Sequence, residues 1–323
     1  MDHVRWGILG ASRFALSDMG PALHAADGGD LVAVASRCGQ KAQAFKTISP
    51  HLDLFDSYEA LVGSDRVDAI YIPLPNALHV EWTLKALEAG KHVLCEKPMA
   101  MAASDFDRLI AARDKSGLLA AEAYMPVHHP QWARVHALLA QGQIGKLMHI
   151  EARFTFFNDD KGDIRNQAAL GGGALRDIGV YVIGTARFAT GLEPTDIGAR
   201  LRVEDGFDTF ADMQARFGDA TYSAYVSTRM LRDQGILFHG TEGVISLQAP
   251  YNGGVHKEAQ IEITTASGEL RIERFPTVRQ YDLQVAAFNR CVLTNAPFAC
   301  PLEFSRGTQE MIDAVLQTGE RID

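Results

Sequence analysis

The chain has 323 residues, a length that at roughly 100 to 200 residues per domain suggests two domains, or one large one, and excludes a single small module. Hydrophobic residues make up 47% and charged residues 22%, the balance of a chain that buries a sizeable core and is not disordered. Thirty-one Lys and Arg against 40 Asp and Glu leave a formal net charge of -9, which disfavours a polyanionic partner such as nucleic acid.

Over the first 120 residues or so, short apolar runs alternate with helical patterns, as in a parallel sheet with crossover helices. Strands are expected at Val4 to Leu9, Leu31 to Ser36, Ala69 to Ile72, His92 to Cys95 and Leu118 to Ala121. Helices are expected at Gln40 to Thr47, Leu78 to Ala89 and Ser104 to Lys115, with Ser104 as a cap and Gly90 and Gly117 as stops. This half reads as α/β with a doubly wound parallel sheet. After Tyr124 the rhythm changes to a helix (Pro130 to Ala140), a strand (Lys146 to Phe157), a polar loop and a helix (Ala174 to Thr190). Seven strand patterns follow between Thr195 and Arg274, separated by Gly, Asp and Asn turns, and two helices close the chain, Gln280 to Leu293 and Leu302 to Leu316. Short loops between sequential strands imply antiparallel pairing, so the second half is expected to be α+β with a large, mostly antiparallel open sheet. The expected division is 1–124 and 125–323.

No apolar run approaches the ~18 residues of a membrane span, and the opening MDHVRWGILG carries Asp2 and no stretch long enough for an export signal. A cytoplasmic protein with no membrane partner is expected. Cysteines at 38, 95, 291 and 300 form no CxxC pair, and adjacent His128 and His129 point apart in most backbone conformations. No metal site is expected.

The first strand runs into Gly10-Ala11-Ser12-Arg13-Phe14-Ala15, which matches G-x-G-x-x-A except for Ser12 at the second glycine. The first glycine permits a tight turn, the second lets backbone approach a pyrophosphate, and the final small residue lets the helix pack on the sheet. Alone, the hexapeptide is equally an ordinary strand-to-helix turn; its place on the first strand of a βαβ pattern shifts the balance to nucleotide binding. The second strand ends Val34-Ala35-Ser36-Arg37, where an NAD enzyme usually places an acid for the ribose diol. Ser36 and Arg37, with Lys41 one turn on, suit the 2′-phosphate of NADP, and NADP is expected over NAD. The alternative is a solvated surface arginine.

Ile72-Pro73-Leu74-Pro75-Asn76-Ala77-Leu78-His79 breaks abruptly before a helix, at the carboxyl end of a parallel strand where open α/β sheets bind ligands. Asn76 is equally a helix cap. The next strand ends Cys95-Glu96-Lys97-Pro98, an unusual place for a solubilising lysine, although a surface ion pair is the bland alternative. In the second half, Gly171-Gly172-Gly173 precedes Asp177 and Tyr181, which four-residue spacing sets on one helix face. A phenol ordinarily ionises near about pH 10, and an ammonium such as Lys97 beside it would bring that toward the range useful for proton transfer. A buried tyrosine bonded to Asp177 for stability is the competing reading.

Taken in order, GILGASRFA, ASR, IPLPNALH, AGKHVLCEKP and GGGALRDIGVY resemble the glucose-fructose oxidoreductase, inositol dehydrogenase and rhizopine catabolism (Gfo/Idh/MocA) family over essentially the whole chain. The resemblance implies a Rossmann domain followed by an α+β domain. Within the family, EKP paired with GGG-x-x-x-D-x-G-x-Y resembles the branch of NADP-dependent D-xylose dehydrogenases, glucose-fructose oxidoreductase and dimeric dihydrodiol dehydrogenases. Carried over residue by residue, it implies Lys97, Asp177 and Tyr181 as catalytic, with Tyr181 the acid/base. It places Gly10, Ala11, Ser12, Arg13 and Phe14 on the phosphate turn and Ser36, Arg37 and Lys41 at the adenosine end. Leu74, Pro75, Asn76 and His79 fall on the nicotinamide side with Glu96 and Lys97. Asp163 and Arg165 resemble the substrate-facing loop, and Tyr124 belongs to the interdomain segment beside the site. One departure is Val127, where relatives carry arginine, so that xylose or glucose does not transfer directly as substrate.

The leading expectation is an NADP-dependent oxidoreductase acting on a sugar or polyol hydroxyl or carbonyl. Phe154, Phe156 and Phe157 on the strand before the polar loop keep a trans-dihydrodiol or dicarbonyl sugar as the alternative substrate. A non-catalytic NADP-binding sensor or scaffold is the alternative of another class. An antiparallel sheet with one face free of helices needs covering, and a homodimer across that face is expected, as in the relatives this chain resembles.

Overall fold

The computed structural model describes residues 2–323. In chain order it opens β1 (Val4–Leu9), a π-wound turn (Ala15–Met19) running into α1 (Gly20–Ala25), β2 (Gly29–Ala35), α2 (Gly39–Gln43), β3 (Asp53–Phe55) and α3 (Tyr58–Val62). Next come β4 (Ala69–Ile72), α4 (His79–Glu88), β5 (His92–Cys95), α5 (Asp105–Ser116) and β6 (Ala120–Glu122). These strands form a six-stranded sheet in the order β3-β2-β1-β4-β5-β6, every pairing parallel. Val4, Trp6, Ile8 and Leu9 on β1, and Ala69 to Ile72 on β4, are fully buried, because crossover helices cover both faces of a parallel sheet. Strand order reverses between β1 and β4, which makes the carboxyl ends of those two strands the place where such a sheet takes a ligand.

The chain continues through α6 (Pro130–Ala140), β7 (Leu147–Phe157), a second π-wound turn (Leu175–Gly179) and α7 (Val180–Thr190). Then follow β8 (Pro194–Glu204), β9 (Phe207–Phe217), β10 (Ala220–Ser227), β11 (Arg229–Gly240), β12 (Gly243–Leu247), β13 (Gln260–Thr265) and β14 (Leu270–Arg274). The chain closes with α8 (Gln280–Thr294), α9 (Leu302–Thr318) and β15 (Glu320–Arg321). Nine strands make the second sheet, in the order β14-β13-β12-β11-β7-β10-β9-β8-β15. It is antiparallel except that β7 lies parallel to β10 and β15 parallel to β8. Short hairpins join β8 to β9 and β9 to β10, whereas β7 arrives from α6 and so is free to take a parallel neighbour. One face is apolar: Ala211, Met213, Ala215 and Phe217 on β9 are buried, while Gln214 between them is exposed. Tyr222 on the same face donates its hydroxyl proton to the Val182 carbonyl of α7 at 3.1 Å.

Two compact units result. The first runs to His128 and takes in Arg279–Arg306; the second comprises His129–Val278 with Gly307–Asp323. They differ from the expected 1–124 and 125–323 division chiefly because α8 returns to the first unit. There Phe288 lies 5.0 Å from the Trp6 ring, and the Trp6 indole N–H donates to Asn289 Oδ1 at 2.8 Å. A helix pattern tells which face is apolar but not which sheet will receive it. The short strands β3 and β15 carry too few residues to show a strand period.

Candidate functional site

In the first unit, the residues singled out in the sequence gather at the carboxyl ends of β1, β2, β4 and β5. Gly10 follows β1 at φ +120, a conformation L residues rarely adopt, and a Cβ there would sit 2.8 Å from Leu74 Cδ2. The close approach of turn to loop therefore requires glycine. Ser12 Oγ accepts from the Ala15 N–H at 3.0 Å, so the hydroxyl that replaces the second glycine caps the helix while keeping its own proton to donate. Arg13 is exposed and Phe14 lies edge-on to Tyr281, 5.4 Å between ring centroids. A glycine-shaped turn feeding a helix start is a cradle that fits the diphosphate of a dinucleotide.

Ser36 follows β2, 7% exposed, with its Oγ accepting from the Cys38 N–H at 3.1 Å. Arg37 is exposed and its guanidinium lies 5.8 Å from the centre of the Tyr58 ring, which meets Trp82 edge-on. Lys41 is exposed on α2. The carboxyl end of β2 thus carries two cations and no acid, and these residues fit an adenosine end bearing a phosphate. Leu74, Pro75 and Asn76 form the loop after β4, and Glu96 and Lys97 follow β5, where the Lys97–Pro98 peptide is cis. Tyr71, wholly buried, donates its phenol to Glu96 Oε1 at 2.7 Å. Burial, and then the neighbouring Glu96 carboxylate, raise the Tyr71 pKa well above the ordinary phenol value.

His79 behaves differently from the residues around it. It is fully buried, with Nε2 2.7 Å from the Leu74 carbonyl and Nδ1 2.8 Å from the Pro98 carbonyl. Burial draws its pKa below the ordinary value, with Lys97 adding to that and the two carbonyls opposing it. Glu122 is also buried and accepts from the Met99 N–H at 2.7 Å, its pKa raised by burial. Sequence reading placed His79 with the cofactor contacts and gave Tyr71 and Glu122 no role; a lone tyrosine in an apolar strand gives no local signal of its hydrogen bond. Tyr124 is 1% exposed and 6.0 Å from Phe304, a packing position, and Val127 is buried at 7%.

In the second unit, the three glycines let the chain fold back on itself. A Cβ on Gly172 would lie 2.5 Å from the Arg165 carbonyl oxygen, and one on Gly173, at φ +124, would strike the Asp208 carboxylate. Asp208, buried on β9, accepts from the Leu175 N–H at 2.7 Å and so receives the helix start. Burial raises its pKa to about 6, against the pull of the backbone donors. Asp177 follows inside the π-wound turn, 9% exposed, and accepts from Arg165 Nε at 2.9 Å. Arg165 is also 3.4 Å from both Asp163 oxygens. The Asp177 carboxylate, first, and then Asp163 hold the guanidinium's pKa above its ordinary value despite burial. Asp163 and Arg165, expected on the substrate-facing loop, and Asp177, expected among the catalytic residues, are therefore one ion-paired cluster.

Tyr181 stands on the first turn of α7, 7% exposed, with its ring 5.6 Å from Phe154 and 5.8 Å from Tyr251. Phe154 and Tyr251 stack at 5.1 Å. Phe157 points to the opposite face of β7 and is 62% exposed, so the three phenylalanines do not form one wall. His128 packs at 5.1 Å on Phe298, and the His129 side chain accepts from the Gln131 N–H at the start of α6. Among the described residues no group of three or more His, Cys, Asp and Glu could hold a metal ion, and no helix is long and apolar enough to cross a membrane.

Residues 4–124 match the profile of an oxidoreductase family with an NAD-binding Rossmann fold (Gfo/Idh/MocA), and residues 132–246 match the C-terminal domain of the same family. This chain belongs to the Gfo/Idh/MocA oxidoreductase family. An "uncharacterized oxidoreductase ORF334" from Rhizobium meliloti is 36% identical over 99% of the chain and 98% of its own length. The D-xylose 1-dehydrogenase (NADP+) 2 of Haloferax volcanii is 30% identical over 98% of both. Among solved structures, a variant of a 3-ketoreductase from Actinomadura kijaniata in complex with TDP-benzene and NADP is similar with a TM-score of 0.93, 31% identity and 99% of each chain covered. As a Gfo/Idh/MocA oxidoreductase the chain combines the doubly wound parallel sheet and the large, mostly antiparallel sheet expected of it, the first with six strands and the second with two parallel pairings.

Proposed function

We propose that this Gfo/Idh/MocA oxidoreductase uses NADP to interconvert a secondary hydroxyl and a carbonyl on a sugar or related polyol. The observation that carries the reading is the carboxyl edge of the first sheet, where Gly10, then Ser36 and Arg37, and Lys97 follow the ends of β1, β2 and β5. The likeness along the full length to a 3-ketoreductase crystallised with NADP supports it. Gly10, Ser12 and the helix start would hold the diphosphate, and Ser36, Arg37 and Lys41 the 2′-phosphate. When bound, the nicotinamide supplies or accepts the hydride.

The chain's own residues then handle the substrate oxygen. Tyr181 delivers a proton to the carbonyl oxygen in reduction or takes it from the hydroxyl in oxidation, and Lys97 orients that oxygen and steadies its developing charge. Asp177 accepts from Arg165 and fixes the polar loop 158–166 beside the Tyr181 turn. That loop, with Asp159, Asp160 and Asp163 against Lys161 and Arg165, has no surplus of cations, which favours an uncharged sugar over one carried on a nucleotide diphosphate. The stacked Phe154 and Tyr251 rings beside Tyr181 favour, as a second reading, a substrate with a flat apolar face such as a dihydrodiol.

A panel followed at the NADPH absorbance separates these readings: D-xylose, D-glucose and benzene dihydrodiol with NADP+, and 1,5-anhydro-D-fructose and a dTDP-linked keto-sugar with NADPH. Turnover of a free sugar or anhydro-sugar is expected. Tight NADPH binding with no turnover on any member would instead make the chain a nucleotide sensor.

The open face of the nine-stranded sheet we assign to a second copy of the chain. It carries a cavity of about 320 Å³ lined by Arg200, Arg202, Phe210, Asp212, Arg229 and Met230, and Leu231 beside it is 87% exposed. The lining is mostly charged or polar, and it is the exposed apolar Met230 and Leu231 on β11 that mark an interaction surface. Sedimentation should give a dimer, and Met230→Glu should shift it toward monomer with the same circular dichroism; a parent that sediments as a monomer at micromolar concentration would rule the dimer out.

A further inference from the structure

The loop that carries Lys97 is held along its backbone and flanks by buried side chains that take no part in the chemistry proposed above. The Glu96 N–H donates to the Ile72 carbonyl at 3.0 Å, and the Glu96 carboxylate accepts from the Tyr71 phenol at 2.7 Å. One residue beyond Lys97, the Pro98 carbonyl meets His79 Nδ1 at 2.8 Å; next, the Met99 N–H reaches Glu122. The other nitrogen of the same imidazole meets the Leu74 carbonyl at 2.7 Å, and the Leu74 side chain in turn occupies the space above Gly10. With an N–H on each nitrogen, as in the imidazolium, His79 ties the Lys97 loop to the loop after β4, and through Leu74 to the turn after β1; a neutral ring donates to one of the two carbonyls and only packs against the other. Its ring is fully buried and both nitrogens are on backbone carbonyls, so it presents no polar atom to a ligand. A ring that merely filled core volume would not need both.

We propose that His79 and Tyr71 form a buried clamp that positions Lys97, making them positioning residues for the reaction rather than contacts to the cofactor. The proposal rests on the assignment of Lys97 to the site. Its physical basis is reach: a lysine on a loop places its ammonium only as well as the backbone beneath it is placed, and a misplacement of about 1 Å at a reacting group can cost about 100-fold in rate.

The test uses Tyr71→Phe, which deletes one hydroxyl and keeps the ring, and His79→Gln, each made in the parent and in a Lys97→Met background. Turnover is read on the fastest substrate of the panel above, and NADPH affinity by its fluorescence. Backbone amide exchange is read with no nucleotide present. In the parent, His79→Gln is expected to lower kcat by about 100-fold and Tyr71→Phe by about 10-fold, with a smaller change in NADPH affinity. In the Lys97→Met background neither is expected to lower kcat further, because the group they position is gone. Amides of residues 73–79 and 96–100 should exchange faster in the His79 variant while the rest of the chain is unchanged. An equal fall in kcat in both backgrounds, or unchanged exchange at 96–100, overturns the clamp. If Lys97→Met alone turns over like the parent, the site assignment fails and takes the clamp with it, a result distinct from a slow Lys97 variant in which the clamp substitutions remain independent.

Discussion

Tyr181→Phe and Lys97→Met are each expected to lower kcat by about 100-fold to 10,000-fold, the range lost with a positioned proton-transfer group. The two differ in the accompanying readouts. Tyr181→Phe keeps the ring that packs against Phe154 and Tyr251 and removes only the hydroxyl, so melting temperature and NADPH affinity should stay within error of the parent. Lys97 follows β5 at the cofactor edge, so its loss should weaken NADPH binding several-fold as well as slowing the reaction. On the proposal that both groups act on one oxygen, the double variant should be little slower than the worse single one. Steady-state kinetics of the four proteins decide the matter: a Tyr181→Phe enzyme with the parent's kcat would remove this residue from proton transfer.

Arg37→Ala is expected to raise the KM for NADP by about 10 to 100-fold and leave that for NAD within about twofold, since a charge-assisted bond to phosphate contributes about 1.5–3 kcal/mol. Arg37→Glu should go further and reverse the preference, because a carboxylate at the end of β2 repels the 2′-phosphate and accepts from a ribose diol. The guanidinium rests 5.8 Å from the centre of the Tyr58 ring, which limits the orientations it loses on binding. Initial rates with both nucleotides at saturating substrate are the measurement. Equal effects of Arg37→Ala on the two cofactors would show that this arginine does not select between them.

Much of this was legible in the sequence where a single period ran unbroken. β1, β4 and β5 have the bounds expected of them, since buried strands bracketed by Gly or Pro leave little room for another reading. The ligand edge could be located for the same reason. The winding of the two helix starts could not: Asp177 lies within a π-wound turn and Tyr181 follows it on α7. Nothing in the composition of Leu175–Gly179 distinguishes one winding from the other; the turn follows from where Asp208 receives the Leu175 N–H, a partner 33 residues away. His79 illustrates the other gap. Its position after the Pro-rich loop was readable, whereas its two carbonyl partners depend on how two loops from different strands meet.

The return of α8 to the first unit bears on how the protein is made. Trp6 emerges from the ribosome near the start of synthesis, and its indole N–H waits for Asn289, 283 residues later. Until then the apolar surface that Phe288 will cover stays open to water, and the nucleotide-holding sheet exists without one of its covering layers. A domain whose covering helix is translated so late reaches its full stability only near the end of translation, and a chain cut short after β14 would offer that surface to chaperones or to aggregation.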